Sequence, residues 1–230
     1  SNLTPLQSII QAMLIDIVTL FPNMFVGPFD ESMLWKAREK GLVEINIHDL
    51  RKWGEGERKT VDDKPYGGGP GMLIRVDIID GVLKDLKKQN SKVILMDAGG
   101  KKFTQQKAVE FAKSDHLIIL CGHYEGFDYR INEHLVDKVI SIGDYVLTGG
   151  EIPAMIITDA VIRLIPGVLG AGMDATVSES HTNPGIVEYP QYTRPENYNG
   201  WEVPGVLKTG NHAEIDKWRQ QESEKRSRSI

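Results

Sequence analysis

Residues His116–Glu151 read HLIILCGHYEGFDYRINEHLVDKVISIGDYVLTGGE, and this stretch decides the fold. One apolar run, His116–Cys121, empties into the glycine-bearing loop Cys121–Asp128. A second, Val136–Ser141, empties into Ser141–Glu151, and Ile152–Leu164 then takes up helical spacing. Short apolar runs bounded by glycine and followed by a helical period are buried strands of an α/β sheet. Outward from there, Lys92–Met96 predicts another strand, leading into DAGGKK (Asp97–Lys102) and flanked by helices at Ile78–Lys88 and Gln105–Lys113. Leu14–Leu20 predicts a buried strand, Met33–Lys40 a helix, and Val43–Leu50 alternates as a strand. Arg51–Gly71, charged and rich in glycine, predicts a loop. Strand and helix in alternation predict a mostly parallel sheet with helices on its faces, whose ligands sit outside the carboxyl ends of the strands.

From Pro166 to about Pro190 the periodicity stops. The expected organisation is a main domain over 13–172, a flexible linker over 173–187, and a small module over 188–230 with a terminal helix from about His212. Residues 1–12 precede the first strand and read as a tag or N-terminal extension. The 230 residues are 40% hydrophobic and 26% charged, a balance that excludes global disorder. No apolar run approaches the roughly 18 residues of a membrane span. The single cysteine, Cys121, has no internal disulfide partner, which fits a reducing, cytoplasmic setting. A formal net charge of −5 argues against a general nucleic-acid coat protein and leaves a local basic patch possible.

Three strand ends in succession carry glycine-rich loops, and glycine lets backbone approach a ligand closely; together they predict a pocket. GxxxxGK[ST] and GxGxxG are both missing, so a phosphate loop and a dinucleotide fingerprint are excluded. Asp97, Glu125, Asp128, Asp144 and Glu151 crowd these loops and would repel a polyphosphate, so a neutral or cationic molecule such as an adenosyl sulfonium fits better. Some of these acids could instead cap helices. The string YGGGPGM (Tyr66–Met72) reads equally as a flexible surface loop or as a wall for a flat base. The six histidines lack metal-binding spacing, and Cys121 at the end of an apolar strand reads as buried and inert. From Lys208 onward six basic residues face four acidic ones, with Trp218 among them: a solvated helix, or a nucleic-acid contact surface.

The strings LFPNMF, TVDDKPYGGGPGM, CGHYEGFDYR, SIGDYVLTGGEIPAM, RLIPGVLG, YTRPE and GNHAEIDKWR occur in that order over nearly the whole chain from Met13. Together they closely resemble the bacterial tRNA (guanine-N1)-methyltransferases of the SPOUT class. The resemblance implies an α/β fold with a deep trefoil knot and a small helical C-terminal domain. It also implies S-adenosylmethionine as cofactor, a homodimer with its active site between subunits, and the anticodon arm of tRNA as partner. The acceptor would be N1 of guanosine 37, immediately 3′ of the anticodon.

By the same resemblance, the cofactor lies among Leu95, Met96 and Ala98 of the first loop and Gly122, Tyr124 and Glu125 of the second. The third contributes Ile142, Gly143, Asp144, Tyr145, Val146, Leu147, Gly149 and Gly150. N1 of neutral guanine carries a proton, so a general base is needed, and charge developing on O6 wants a cationic donor. Arg163, before IPGVLG, fills the second role, although it also reads as a helix-terminal arginine. The family's linker aspartate aligns ungapped with Ser178; one inserted residue brings Glu179 into place, with Asp174 in reserve. The first loop departs too, Asp97–Gly100 standing where the family has Ser-Pro-Gln-Gly. Gly68, Arg194, His212, Lys217 and Arg219 are the expected tRNA contacts, and no metal is expected. Two other readings stay open: a 2′-O-ribose methyltransferase of the same fold, and a non-catalytic RNA-binding protein.

Overall fold

The computed structural model describes residues 12–169 and 179–229; residues 1–11, Asp174 and Ser178 lie outside them. The chain forms two compact units, divided between Gly172 and Met173.

The first unit is built on five strands, β1 (Met13–Thr19), β2 (Val43–Asp49), β5 (Ser91–Lys102), β6 (His116–Cys121) and β7 (Lys138–Ser141), in the order β2-β1-β6-β5-β7. Every pairing in this sheet is parallel. Alternation along each strand sends successive side chains to opposite faces. Ile15, Ile17, Ile94, Met96, Leu117, Ile119 and Cys121 pack with helices α1 (Ser32–Glu39), α3 (Gln105–Phe111) and α5 (Glu151–Ile162). Val18, Val93, Leu95, Ile118 and Leu120 pack against α2 (Val76–Leu86) and α4 (Tyr129–His134) on the other face. With both faces covered, β1 and β6 read as near-continuous apolar runs, whereas the edge strand β2 alternates, and both patterns were legible in the sequence.

A buried polar network interrupts this pattern. Asp16 in β1 accepts hydrogen bonds across its neighbours, from His48 Nε2 in β2 at 2.9 Å and His116 Nε2 in β6 at 2.8 Å. His116 Nδ1 continues the chain to Ser91 Oγ at 2.7 Å. Burial pushes the Asp16 carboxyl up, but the bonds to His48 and His116 outweigh it and hold the group below its ordinary value.

The structure corrects the sequence reading at several places. DAGGKK is not a loop: β5 runs through it to Lys102, bulging away from β7 between Met96 and Lys101, both of which align with Ile140. Gly100 makes the return possible, since a Cβ there would sit 2.6 Å from the Ile140 backbone nitrogen. Helix α4 was missed because it has only 6 residues; its start is set by Asp128, whose side chain accepts from Arg130 N. The long segment 51–71 holds one strand, β3 (Asp62–Asp63), of a two-stranded ribbon completed by β4 (Leu73–Ile74).

The second unit contains the hairpin β8 (Asn197–Tyr198) and β9 (Trp201–Glu202), also unforeseen, and helix α6 (His212–Ser227). Asn211 caps α6 by accepting from Glu214 N. Ser223 and Ser227 of α6 bond the backbone of Val187, tying the helix to the segment before the hairpin.

Candidate active site

The bulge of β5 and the carboxyl ends of β6 and β7 converge on a cleft of about 200 Å³ in the first unit. Its lining comes from the β5 bulge (Met96, Asp97, Ala98), the segment Gly122–Phe127, and the stretches 140–142 and 145–150 with Pro153 beyond. Much of this wall is aliphatic or aromatic, and glycine backbone lies among it, a surface suited to a flat apolar ring read by main-chain groups.

The loops are held together through close backbone contact. Gly150 N donates to Gly122 O at 2.9 Å, and a Cβ on Gly150 would lie 2.7 Å from Cys121 Cα and from Gly122 N. A side chain at position 150 would therefore push the second and third loops apart. Tyr124 sits in the left-handed region at φ 61°, a conformation that costs a non-glycine residue about 1–2 kcal/mol and that clusters at binding sites. The YGGGPGM string flanks this loop. Glu125 N donates to Met72 O at 3.0 Å, and position 71 favours glycine because its φ of 80° lies in the left-handed region.

The family profile described as tRNA (Guanine-1)-methyltransferase TrmD matches residues 13–229. The chain belongs to that family. A tRNA (guanine-N(1)-)-methyltransferase of Dictyoglomus turgidum is 52% identical over 213 residues, covering 93% of this chain and 86% of the relative. Proteins of the same name from Dehalococcoides mccartyi and Bacillus pumilus are 49% and 50% identical, each over 94% of this chain and 87% and 88% of their own lengths. The protein is thus an enzyme that transfers a methyl group to N1 of a guanine in tRNA.

Of the methyltransferase's expected cofactor residues, Met96, Ala98, Gly122, Tyr124, Glu125, Ile142, Tyr145, Val146, Leu147, Gly149 and Gly150 line the cleft. Leu95, Gly143 and Asp144 do not. Leu95 is fully buried in the core packed against α2 and α4, and Asp144 pairs with Lys102. The lining also includes His123, Phe127, Thr148 and Pro153, which sequence reasoning passed over because nothing in their type marks them as ligand contacts.

The acidic crowding is weaker than the sequence implied. Asp128 is spent on the α4 cap and on Arg130 at 2.6 Å, which holds its carboxyl below the ordinary range. Glu151 is buried against Thr19 and His123. Asp97 and Glu125 remain in the lining. Cys121 is buried, and burial together with the nearby Glu151 charge pushes its thiol well up, so it is no nucleophile.

Arg163 caps the C-terminal end of α5, whereas the cleft lies at that helix's N-terminal end. Thirteen residues at 1.5 Å rise separate Gly150 from Arg163 by about 20 Å. Glu179 belongs to the second unit, as do the exposed Arg194, His212 and Lys217. Arg219 pairs with Asp216 at 3.3 Å and lies over the Tyr189 ring at 4.9 Å. Gly68 is exposed, at φ 80°. Among the described residues no acid–histidine–cysteine cluster could hold a metal, and no helix is long and apolar enough to cross a membrane.

Proposed function

We propose that the methyl donor is S-adenosylmethionine, bound in the cleft at the β5 bulge and the ends of β6 and β7, and that the acceptor is guanosine 37 on the 3′ side of the anticodon. The single observation that carries the donor assignment is the cleft itself. It combines an apolar wall (Met96, Ile140, Val146, Leu147), backbone exposed at Gly122, Gly149 and Gly150, and two carboxylates, Asp97 and Glu125. An adenine ring suits the first two features and a sulfonium cation the third. When bound, the sulfonium supplies an electrophilic methyl group.

The chain's own residues then have two tasks. As N1 gains its methyl group, the N1 proton passes to a carboxylate, which we assign to Glu179 with Asp174 as the alternative. Charge building on O6 is met by the guanidinium of Arg163. The target base is taken out of its stack, with Gly68 in the triple-glycine loop as part of the wall it lies against. Arg194, His212, Lys217 and Arg219 hold the anticodon arm by its phosphates without reading sequence.

The active form is a homodimer. Arg163 stands about 20 Å along α5 from the cleft of its own subunit, so a second copy has to supply it. An apolar patch beside the cleft offers the surface: Val146 is 84% exposed, Ile152 50%, and Met24 and Ile156 43% each. Met24, Val146, Leu147 and Ile152 line one hollow, and such patches on a soluble protein mark interfaces. We further assign the trefoil knot of the SPOUT class. Supporting it are the return of Lys101–Lys102 onto β7 beyond the bulge and the packing of Gly150 against the Cys121–Gly122 backbone. The expected division stands with this reading: a methyltransferase domain over 13–172, a linker over 173–187, a tRNA-binding domain over 188–230, and a cytoplasmic setting.

The test is methyl transfer from labelled S-adenosylmethionine to paired tRNA transcripts carrying guanosine or adenosine at position 37. Label in the guanosine transcript alone supports the assignment. Label in both would overturn position 37 as the target, and label in neither would overturn the donor or the acceptor.

A further inference from the structure

Glu151 is the one carboxylate of the cleft region with no exposed surface at all. It opens helix α5, where the helix dipole favours a negative charge. Its two oxygens, however, reach two other strand ends. Oε1 accepts from Thr19 Oγ1 at 2.6 Å, at the carboxyl end of β1, and that hydroxyl in turn accepts from Phe21 N at 2.9 Å. Oε2 meets His123 Nε2 at 2.7 Å, in the loop after β6. Phe21 packs at a tilt against the His123 ring, with ring centroids 4.6 Å apart and planes at 58°. The imidazole is therefore held by its bond to Glu151 and by its packing against Phe21.

Glu151 does not itself line the cleft, but His123 does, and so do His123's neighbours Gly122 and Tyr124. Gly149 completes the junction: a Cβ there would fall 2.4 Å from His123 Nε2 and 2.5 Å from Glu151 Oε2. Three strand ends thus meet at one buried carboxylate. The loop it steadies is the one that holds Tyr124 in the left-handed region and accepts the Gly150 amide. A loop held in a strained conformation keeps it only while its surroundings over-determine it.

We infer that Glu151, acting through His123 and braced by Thr19, is a positioning residue that holds the second and third loops in the form that binds the methyl donor. This rests on the assignment of the donor to the cleft. Removing the carboxylate frees the His123 ring and lets the loop relax, so the donor must reorder it on binding and loses affinity. The reacting groups are untouched, so turnover at saturating donor is retained.

The experiment is calorimetric titration of the full-length protein with S-adenosylmethionine, together with steady-state methyl transfer at saturating tRNA. Glu151→Ala should raise both Kd and KM for S-adenosylmethionine at least tenfold, with kcat within threefold of wild type. Glu151→Gln, whose amide can meet both Thr19 and His123, should return Kd to within threefold. Should Glu151→Ala fail to fold, Thr19→Val decides. It keeps the shape, removes the brace, and should raise KM for the donor at least threefold with kcat unchanged. A merely structural carboxylate would lower the melting temperature and leave the affinity of the folded protein unchanged; that result, or a fall in kcat at constant KM, overturns the inference. A wild-type protein that gives no binding isotherm overturns the donor assignment, and this inference with it.

Discussion

Replacing Gly150 with alanine tests the close approach on which the cleft depends. The residue sits at φ −84°, which alanine adopts freely, so backbone strain plays no part. On chain entropy alone the substitution should stabilise the fold by about 0.4–1 kcal/mol. Packing opposes this. The new Cβ would lie 2.7 Å from Cys121 Cα and Gly122 N, backbone atoms at the end of a central strand that cannot swing aside. Restoring ordinary contact needs a separation of about 0.7 Å, which would stretch the 2.9 Å bond from Gly150 N to Gly122 O past the useful hydrogen-bond range. Overpacking of this kind costs about 1–3 kcal/mol, so the net expectation is a loss of about 1–2 kcal/mol. Gly81→Ala is the control. That glycine lies inside α2, its added Cβ would meet only Trp53 Cδ1 at 3.8 Å, and helix propensity predicts a gain of about 1 kcal/mol. Urea unfolding of both variants, followed by circular dichroism at one protein concentration, gives the comparison, and calorimetry should show weakened S-adenosylmethionine binding for Gly150→Ala alone. Stabilisation of both variants to the same degree would refute the reasoning.

Three further outcomes are expected. Asp16→Asn removes a carboxylate that accepts from two histidines and should cost about 1.5–3 kcal/mol at pH 7 in urea melts. Because its folded value is depressed, the contribution is complete above the unfolded value of about 4 and is lost as pH falls through the folded one, so the variant's stability should fall less steeply than wild type below pH ~4. Ile156→Asp places a charge in the apolar patch on α5 and should weaken self-association at least about 100-fold in sedimentation while abolishing methyl transfer; an unchanged dimer would remove that patch as the interface. Glu179→Gln should lower methyl transfer by about 10²–10⁴-fold with donor affinity unchanged, and near-normal turnover would move the base to Asp174.

The central strands were legible because they are apolar on both faces: His116–Cys121 and Leu14–Leu20 stand out from their surroundings without any knowledge of what they touch, while the edge strand β2 was legible from its alternation. The helices of seven residues or more were legible from their length and apolar content, and the 6-residue α4 and the two-residue strands were not, since so few residues carry no period. The glycine loops announced a pocket, and the ordered motifs announced the family. Cleft membership was another matter. Leu95 and Met96 are neighbours of the same character, yet the cleft lining runs through Met96, Asp97 and Ala98 while Leu95 is fully buried in the core, because the cleft opens where the β5 bulge begins.

By itself, then, the sequence determined the alternation of elements, the parallel sheet and the guanine-N1 chemistry of the family, all of which are written in local pattern or in motifs. Only the tertiary structure decided which loops meet. That DAGGKK is a bulged strand returning to β7 depends on Gly100 lying against the Ile140 backbone, 40 residues away. That Glu151 is a buried brace, unlike the cleft-lining Glu125, depends on Thr19, 132 residues away. Burial and partner choice are set by the packing of distant segments, and a carboxylate's neighbours along the chain carry no record of them.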